Sequence, residues 1–250
     1  MIGVLALGWL LSGLVGNHWR AETAIMRLAG SRSRLAGAGR LGPPGRYRRS
    51  VPLLDADDPL PRLPRRVVVA GTSGSGKTTL ARRVGAILDI PHVDMDGLFH
   101  GPNWVPRESF LDDVEAFTSQ PTWATEWQYS SVRGLLADRA DLVLWLDLPR
   151  RTVMRQVIFR TVRRRLRRVE LWNGNYEPPL SAFFTDPEHI VRWAWRGHHK
   201  TAARIASLRE RCPDLTIVRF PNNSAVDRWC DGPLRASQQE KPAPDPPQSS

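Results

Sequence analysis

The sequence predicts an α/β fold in which a parallel sheet of about five strands is covered by helices on both faces. Three observations predict it. Between Arg65 and Arg235, about 170 residues alternate short apolar runs with segments of helical period. The run Val67-Val68-Val69-Ala70 ends in a glycine-rich turn that opens a helix pattern, with Leu80, Val84 and Ile87 at i, i+4 and i+7. The run Asp141 to Leu148 (DLVLWLDL) has the continuous apolar centre of a strand buried on both faces, and Pro149 stops it.

The remaining elements follow in order. Ile90 to Val93 is a second strand. Phe110 to Phe117 is a helix with Phe110, Val114 and Phe117 on one face. Thr122 to Thr125 is a third strand and Val132 to Leu136 a short helix. After the fourth strand comes a strongly basic helix, Arg151 to Arg168, then another from Glu188 to Leu208, and Leu215 to Phe220 closes the sheet. No internal repeat is visible.

The flanks read differently. Residues 1–64 form a basic extension without steady helical or strand period, including Gly42-Pro43-Pro44-Gly45 and Pro59-Leu60-Pro61, and are expected to be disordered. Met26 is a candidate internal start. Within the extension, Met1 to Gly16 is uncharged and apolar, but no Lys or Arg precedes it and it is shorter than the ~20 residues that cross a bilayer. A membrane is therefore not expected as a partner. Residues 65–235 form the domain, and residues 236–250, rich in Ser, Gln and Pro, form a disordered tail.

The chain of 250 residues holds 36 Lys and Arg against 25 Asp and Glu, a net charge of +11, and only Lys77, Lys200 and Lys241 are lysines. So arginine-heavy a balance reads first as coding bias, yet clustered arginines still attract phosphate. Two blocks carry the excess: residues 1–66, with eleven arginines, and residues 150–170, with nine arginines against Glu170. Cys212 and Cys230 lie far apart with no CxxC spacing, which argues against zinc and for a reducing cytoplasm.

Chemistry concentrates in Gly71-Thr72-Ser73-Gly74-Ser75-Gly76-Lys77-Thr78, followed by Thr79, which fits GxxxxGK[ST] between a strand and a helix. Glycines let successive N–H groups turn inward on phosphate oxygens, and the helix N-terminus adds partial positive charge. Lys77 would reach the β- and γ-phosphates of ATP, and the Thr78 hydroxyl suits Mg²⁺. A chance Gly/Ser linker is the plain alternative, but strand, loop and helix together match the motif's context.

Carboxylates for the metal or a substrate hydroxyl follow. Asp94 and Asp96 come after the second strand, where alternation along an extended segment would put both on one side; an Asx turn at Asp96-Gly97 is the competing reading. Glu126 and Asp147 end the third and fourth strands, and spacing alone does not choose between them as the acid holding the Mg²⁺ hydration shell. On the basic helix, Arg160, Arg164 and Arg167/Arg168 share one face. That face reads as a lid closing over ATP, as a solvated surface, or as a nucleic-acid patch.

The stretch from Arg66 to about Phe220 resembles the adenylate-kinase-like P-loop kinases, and among them the proteins labelled DNA topology modulation protein. The runs that carry the likeness are GTSGSGKTTLA, IPHVDMDGLFHGPNW, ADLVLWLDLPR, the Arg-rich helix and ELWNGNYE. The resemblance implies a P-loop NTPase three-layer sandwich with an Arg-rich helical lid, acting as an ATP-dependent phosphotransferase on an unidentified acceptor. It places Lys77, Asp96, Arg160 and Arg164 in catalysis, with Asp96 on the acceptor, and Thr78 and Glu126 at Mg²⁺. Relatives usually carry Asp-Gly where this chain has Glu126-Trp127, so the acid is longer and the space beside it filled. The competing function is a nucleotide-binding regulatory or nucleic-acid-associated protein with little turnover; a membrane-tethered ATPase rests on Met1 to Gly16 alone. The tryptophans, Trp104, Trp123, Trp127, Trp172, Trp193 and Trp195 among them, offer stacking surfaces, although core packing is their commoner role.

Overall fold

Val67 and Val69 point to one side of their strand and Val68 and Ala70 to the other, and all four are fully buried. The same alternation divides Leu142, Leu144 and Leu146 from Val143 and Trp145, and Val218 and Phe220 from Ile217. A sheet so apolar on both faces must be covered twice. The computed structural model describes residues 53–176 and 190–239, with side chains over 53–176 and 199–239, and shows that double cover.

The strands are β1 (Leu53–Leu54), β2 (Arg66–Gly71), β3 (His92–Val93), β4 (Trp123–Glu126), β5 (Leu142–Leu146) and β6 (Thr216–Phe220). They form one sheet in the order β1-β6-β5-β2-β4-β3, and every pairing is parallel. The helices are α1 (Lys77–Leu88), α2 (Met95–Phe99), α3 (Phe110–Thr118), α4 (Arg133–Arg139), α5 (Arg150–Leu166), α6 (Ile190–Arg211), α7 (Asn223–Asp231) and α8 (Pro233–Gln239). Leu80 and Val84 of α1, Trp229 of α7 and Leu234 of α8 fill one face; Phe110 and Val114 of α3, Leu136 of α4, and Ile205 and Leu208 of α6 fill the other. Each fully buried large apolar side chain contributes about 1.5–3 kcal/mol.

The sheet has six strands where about five were expected. The added strand is Leu53–Leu54, inside the segment assigned to the basic extension, and it pairs with Ile217 and Val218 at the edge of β6. Two residues are too short for period to show, but the segment is anchored. Ala56 is buried, Leu60 packs on the core, and Asp57 pairs with Arg228 of α7. At the other end, α8 runs to Gln239, past the expected start of the tail. The expectations for residues 1–52 and 240–250 and for the start of the Glu188 to Leu208 helix lie outside the described residues, as do the side chains of Trp193 and Trp195.

Register is held from outside the strands as well. The Asp141 carboxylate accepts the backbone N–H groups of Arg65 and Arg66, fixing where β2 begins against β5. No helix among the described residues is long and apolar enough to cross a membrane. Cys212 and Cys230 are both free.

Candidate active site

The loop after β2 bends as its glycines predict. Gly74 has φ +82° and Gly76 φ +97°, and the Ser75 N–H closes a turn on the Thr72 carbonyl at 3.1 Å. A Cβ on Gly74 would stand 2.5 Å from Val157 Cγ2, so this glycine also lets α5 lie directly on the loop. A Cβ on Gly76 would meet nothing within 4 Å. The Ser75 hydroxyl is buried without a hydrogen-bond partner.

Lys77 opens α1, and its Nζ lies 3.4 Å from the Thr72 carbonyl, curled over the loop. Burial pushes its pKa down, the charges of Asp96 and Glu126 push it back up, and the Arg160 guanidinium lowers it again. One lysine thus senses two acids and one arginine. Of the other three residues expected to be catalytic, Asp96 and Arg160 lie within electrostatic reach of Lys77.

Asp94 keeps an extended backbone, but Asp96 lies inside helix α2, so the two do not share one extended segment. Asp94 caps α2, its Oδ1 accepting the N–H groups of Asp96 (3.1 Å) and Gly97 (3.5 Å), so the local turn belongs to Asp94 and the next residues coil. The two carboxylates diverge as a result. Asp94 Oδ2 accepts from Trp172 Nε1 at 2.9 Å and faces Arg82 at 3.4 Å. Asp96 Oδ1 accepts from Tyr129 Oη at 2.6 Å and from Gln128 Nε2 at 2.7 Å. Burial raises the Asp96 pKa to about 6, against the lowering effect of the Tyr129 hydrogen bond; Asp94 and Glu126 raise it further and Lys77 lowers it.

Glu126 is completely buried at the end of β4. Its Oε1 meets His92 Nε2 at 3.2 Å and its Oε2 accepts the Met95 N–H at 3.2 Å. Burial opposes ionisation, yet its pKa lies below the ordinary carboxylate value because of these partners, with a further contribution from the Thr78 hydroxyl. The competing acid is elsewhere: Asp147 is held by Arg219 at 2.6 Å. An ionised carboxylate and a hydroxyl are hard oxygen donors that suit Mg²⁺, a cation that keeps several waters and takes other ligands from phosphates. No cluster of three or more His, Cys, Asp or Glu that could hold a metal occurs among the described residues.

The Arg face also departs from expectation. Helix α5 ends at Leu166, Arg167 caps it, and Arg168 takes φ +46°, so Arg167 and Arg168 leave the row shared by Arg160 and Arg164. Arg164 lies 5.9 Å from the centre of the Trp172 ring. That tryptophan starts a short turn, Trp172–Gly174, laced onto Pro102–Trp104: Asn175 accepts the Trp104 N–H at 3.0 Å and donates to the Gly101 carbonyl at 2.9 Å, and Asn173 donates to the His100 carbonyl.

Sequence reading gave no role to His92, Gln128 or Tyr129, and read Trp172 only as a stacking or packing surface. Tyr129 takes φ +58°, rare for a bulky residue, while its ring stacks on Phe99 at 4.2 Å. Only its nearness to Glu126 in the chain hinted at a place in the site.

No protein-family model and no curated protein sequence matches the chain. Among solved structures it is similar to a gluconokinase from Sinorhizobium meliloti 1021, at 19% identity and TM-score 0.36, covering 71% of this chain and 96% of that one. It is also similar to a shikimate kinase from Acinetobacter baumannii in complex with shikimate (15% identity, TM-score 0.35, 70% of this chain and 89% of that one). A sugar kinase from Janibacter sp. HTCC2649 matches at 20% identity and TM-score 0.34, over 74% of this chain and 98% of that one. The narrower likeness to DNA topology modulation proteins has no counterpart in these comparisons. The α/β assignment rests on the chain's own six parallel strands and the loop between β2 and α1.

Proposed function

We propose that the chain is an ATP-dependent phosphotransferase acting on a small acceptor through a hydroxyl group. The observation that supports this most is Asp96: a carboxylate with its pKa raised to about 6, oriented by Tyr129 and Gln128, within electrostatic reach of the loop lysine. A general base works best when its pKa lies near the working pH and its geometry is fixed.

In this reading the amides of residues 71–79 and the Lys77 ammonium hold the β- and γ-phosphates. Asp96 accepts the acceptor's hydroxyl proton as the new oxygen–phosphorus bond forms, while the bond from the γ-phosphorus to the β,γ-bridging oxygen breaks and ADP departs. Arg160, and Arg164 beside it, offset charge spreading over the transferred phosphoryl oxygens. Thr78 and Glu126 would hold Mg²⁺ and its water shell, which supplies charge neutralisation between the phosphates. Tyr129 and Gln128 are positioning residues.

The test is ATP consumption by the full chain against a panel of sugars, sugar acids, other hydroxylated acids and nucleoside monophosphates, with Asp96→Asn alongside. An acceptor that stimulates turnover, with a loss of about 10²–10⁴ in Asp96→Asn at unchanged ATP affinity, is the expected result. Acceptor-independent hydrolysis unaffected by Asp96→Asn would refute it.

A further inference from the structure

Helix α5 has two working sides, and the site uses one. Val153, Val157 and Thr161 are buried on the side that carries Arg160 and Arg164. At 100° per residue, Arg151, Arg155, Ile158, Phe159, Arg163 and Leu166 fall on the other side, and all six are exposed. Three of them are large apolar side chains in water: Ile158 at 47%, Phe159 at 69% and Leu166 at 74% exposure. No acid occurs from Arg150 to Val169.

A lid needs inward arginines and is indifferent to what its back carries. A merely solvated back would mix both charge signs and hide its large apolar residues. Cations interleaved with Ile, Phe and Leu on one exposed face match a different boundary, that of an anionic bilayer. There guanidinium groups lie among lipid phosphates and apolar side chains enter the acyl margin. Nucleic acid would use the arginines, and base stacking would use Phe159, but Ile158 and Leu166 would have no partner on it.

Stable attachment takes two signals. The same chain carries an uncharged apolar stretch, Met1 to Gly16, followed by Arg20, Arg27, Arg32 and Arg34 with Glu22 the only acid before Asp55. We infer that the outer face of α5 docks the protein on an anionic membrane surface, with Arg151, Arg155 and Arg163 among the lipid phosphates. This does not depend on the phosphotransferase reading.

The experiment is co-sedimentation of the full chain with vesicles of phosphatidylcholine alone or containing about 30% phosphatidylserine. Preference for the anionic vesicles is expected, weakening with salt. Phe159→Glu with Leu166→Glu should lower it at least about tenfold, and Arg151→Gln, Arg155→Gln and Arg163→Gln together should lower it and flatten its salt dependence. Unchanged ATP affinity certifies the fold, and Phe159→Ser with Leu166→Ser replaces the glutamates if they disturb it. Three results would overturn the inference: equal binding to both vesicle types, full anionic binding by the apolar-face variants, or a preference for DNA over anionic vesicles that the arginine variant abolishes.

Discussion

The two halves of the candidate site are made of different material. On the proposed phosphate side, the residues are contiguous, from Gly71 to Thr79, and the loop would offer mainly backbone amides, with Lys77 and Thr78 as its side-chain donors. On the acceptor side, the groups are side chains from three separate stretches: Asp94 and Asp96, Gln128 and Tyr129, and Trp172. A backbone site is sensitive to an added Cβ and largely indifferent to side-chain identity. A side-chain site reverses that sensitivity, and its pKa values depend on partners far away in the chain.

The sharpest way to break this contrast is Lys77→Ala, which removes the one cationic side chain of the loop. Removing a donor aimed at developing charge costs about 10²–10³ in turnover, read in a steady-state ATPase assay, with the melting temperature maintained. Activity retained in a folded variant would dissolve the distinction. Next comes the paired change Gly74→Ala and Gly76→Ala. Both force a side chain to positive φ, at roughly 1–2 kcal/mol, but only the first drives a methyl group into Val157. Gly74→Ala should therefore melt lower than Gly76→Ala, and adding Val157→Ala should recover part of the gap.

The smallest effect sharpens the acceptor side. If Asp96 is the general base proposed above, its ionised form is the active one and turnover should rise with pH through about 6. The Tyr129 hydrogen bond lowers that pKa, so Tyr129→Phe removes a lowering influence and must move the rise to higher pH. A pH–rate profile checks it; a shift to lower pH would mean that Tyr129 does not hold the carboxylate.

The same division explains what was legible in the sequence. The bend of the loop could be read outright because it is set by glycines in residue order. The long strands β2 and β5 were visible as apolar runs, since burial on both faces leaves no polar residue at their centres. The acceptor side was half visible. Asp96 and Glu126 stand out as acids at strand ends, but their partners His92, Tyr129 and Gln128 are fixed by the parallel register that sets β3 beside β4. The coil at Met95–Phe99 was hidden by its brevity and by Gly97, a poor helix former, so the two aspartates seemed to share a side. On α5, seven of the 17 residues are arginine, spread around the helix, and periodicity did not reveal which row faced the loop until Val157 was seen against Gly74.

The edge strand β1 bears on how the chain is made. Leu53 pairs with Ile217, so a segment that leaves the ribosome early has no partner until roughly 160 residues more have been added. At about 5–20 residues per second this is an interval of about ten to thirty seconds. Leu53 and Leu54 must wait through it with their backbone groups unpaired by sheet. The chain thus joins the first strand among the described residues to the last, and an arrested synthesis that stops short of Thr216 would leave β1 without its partner.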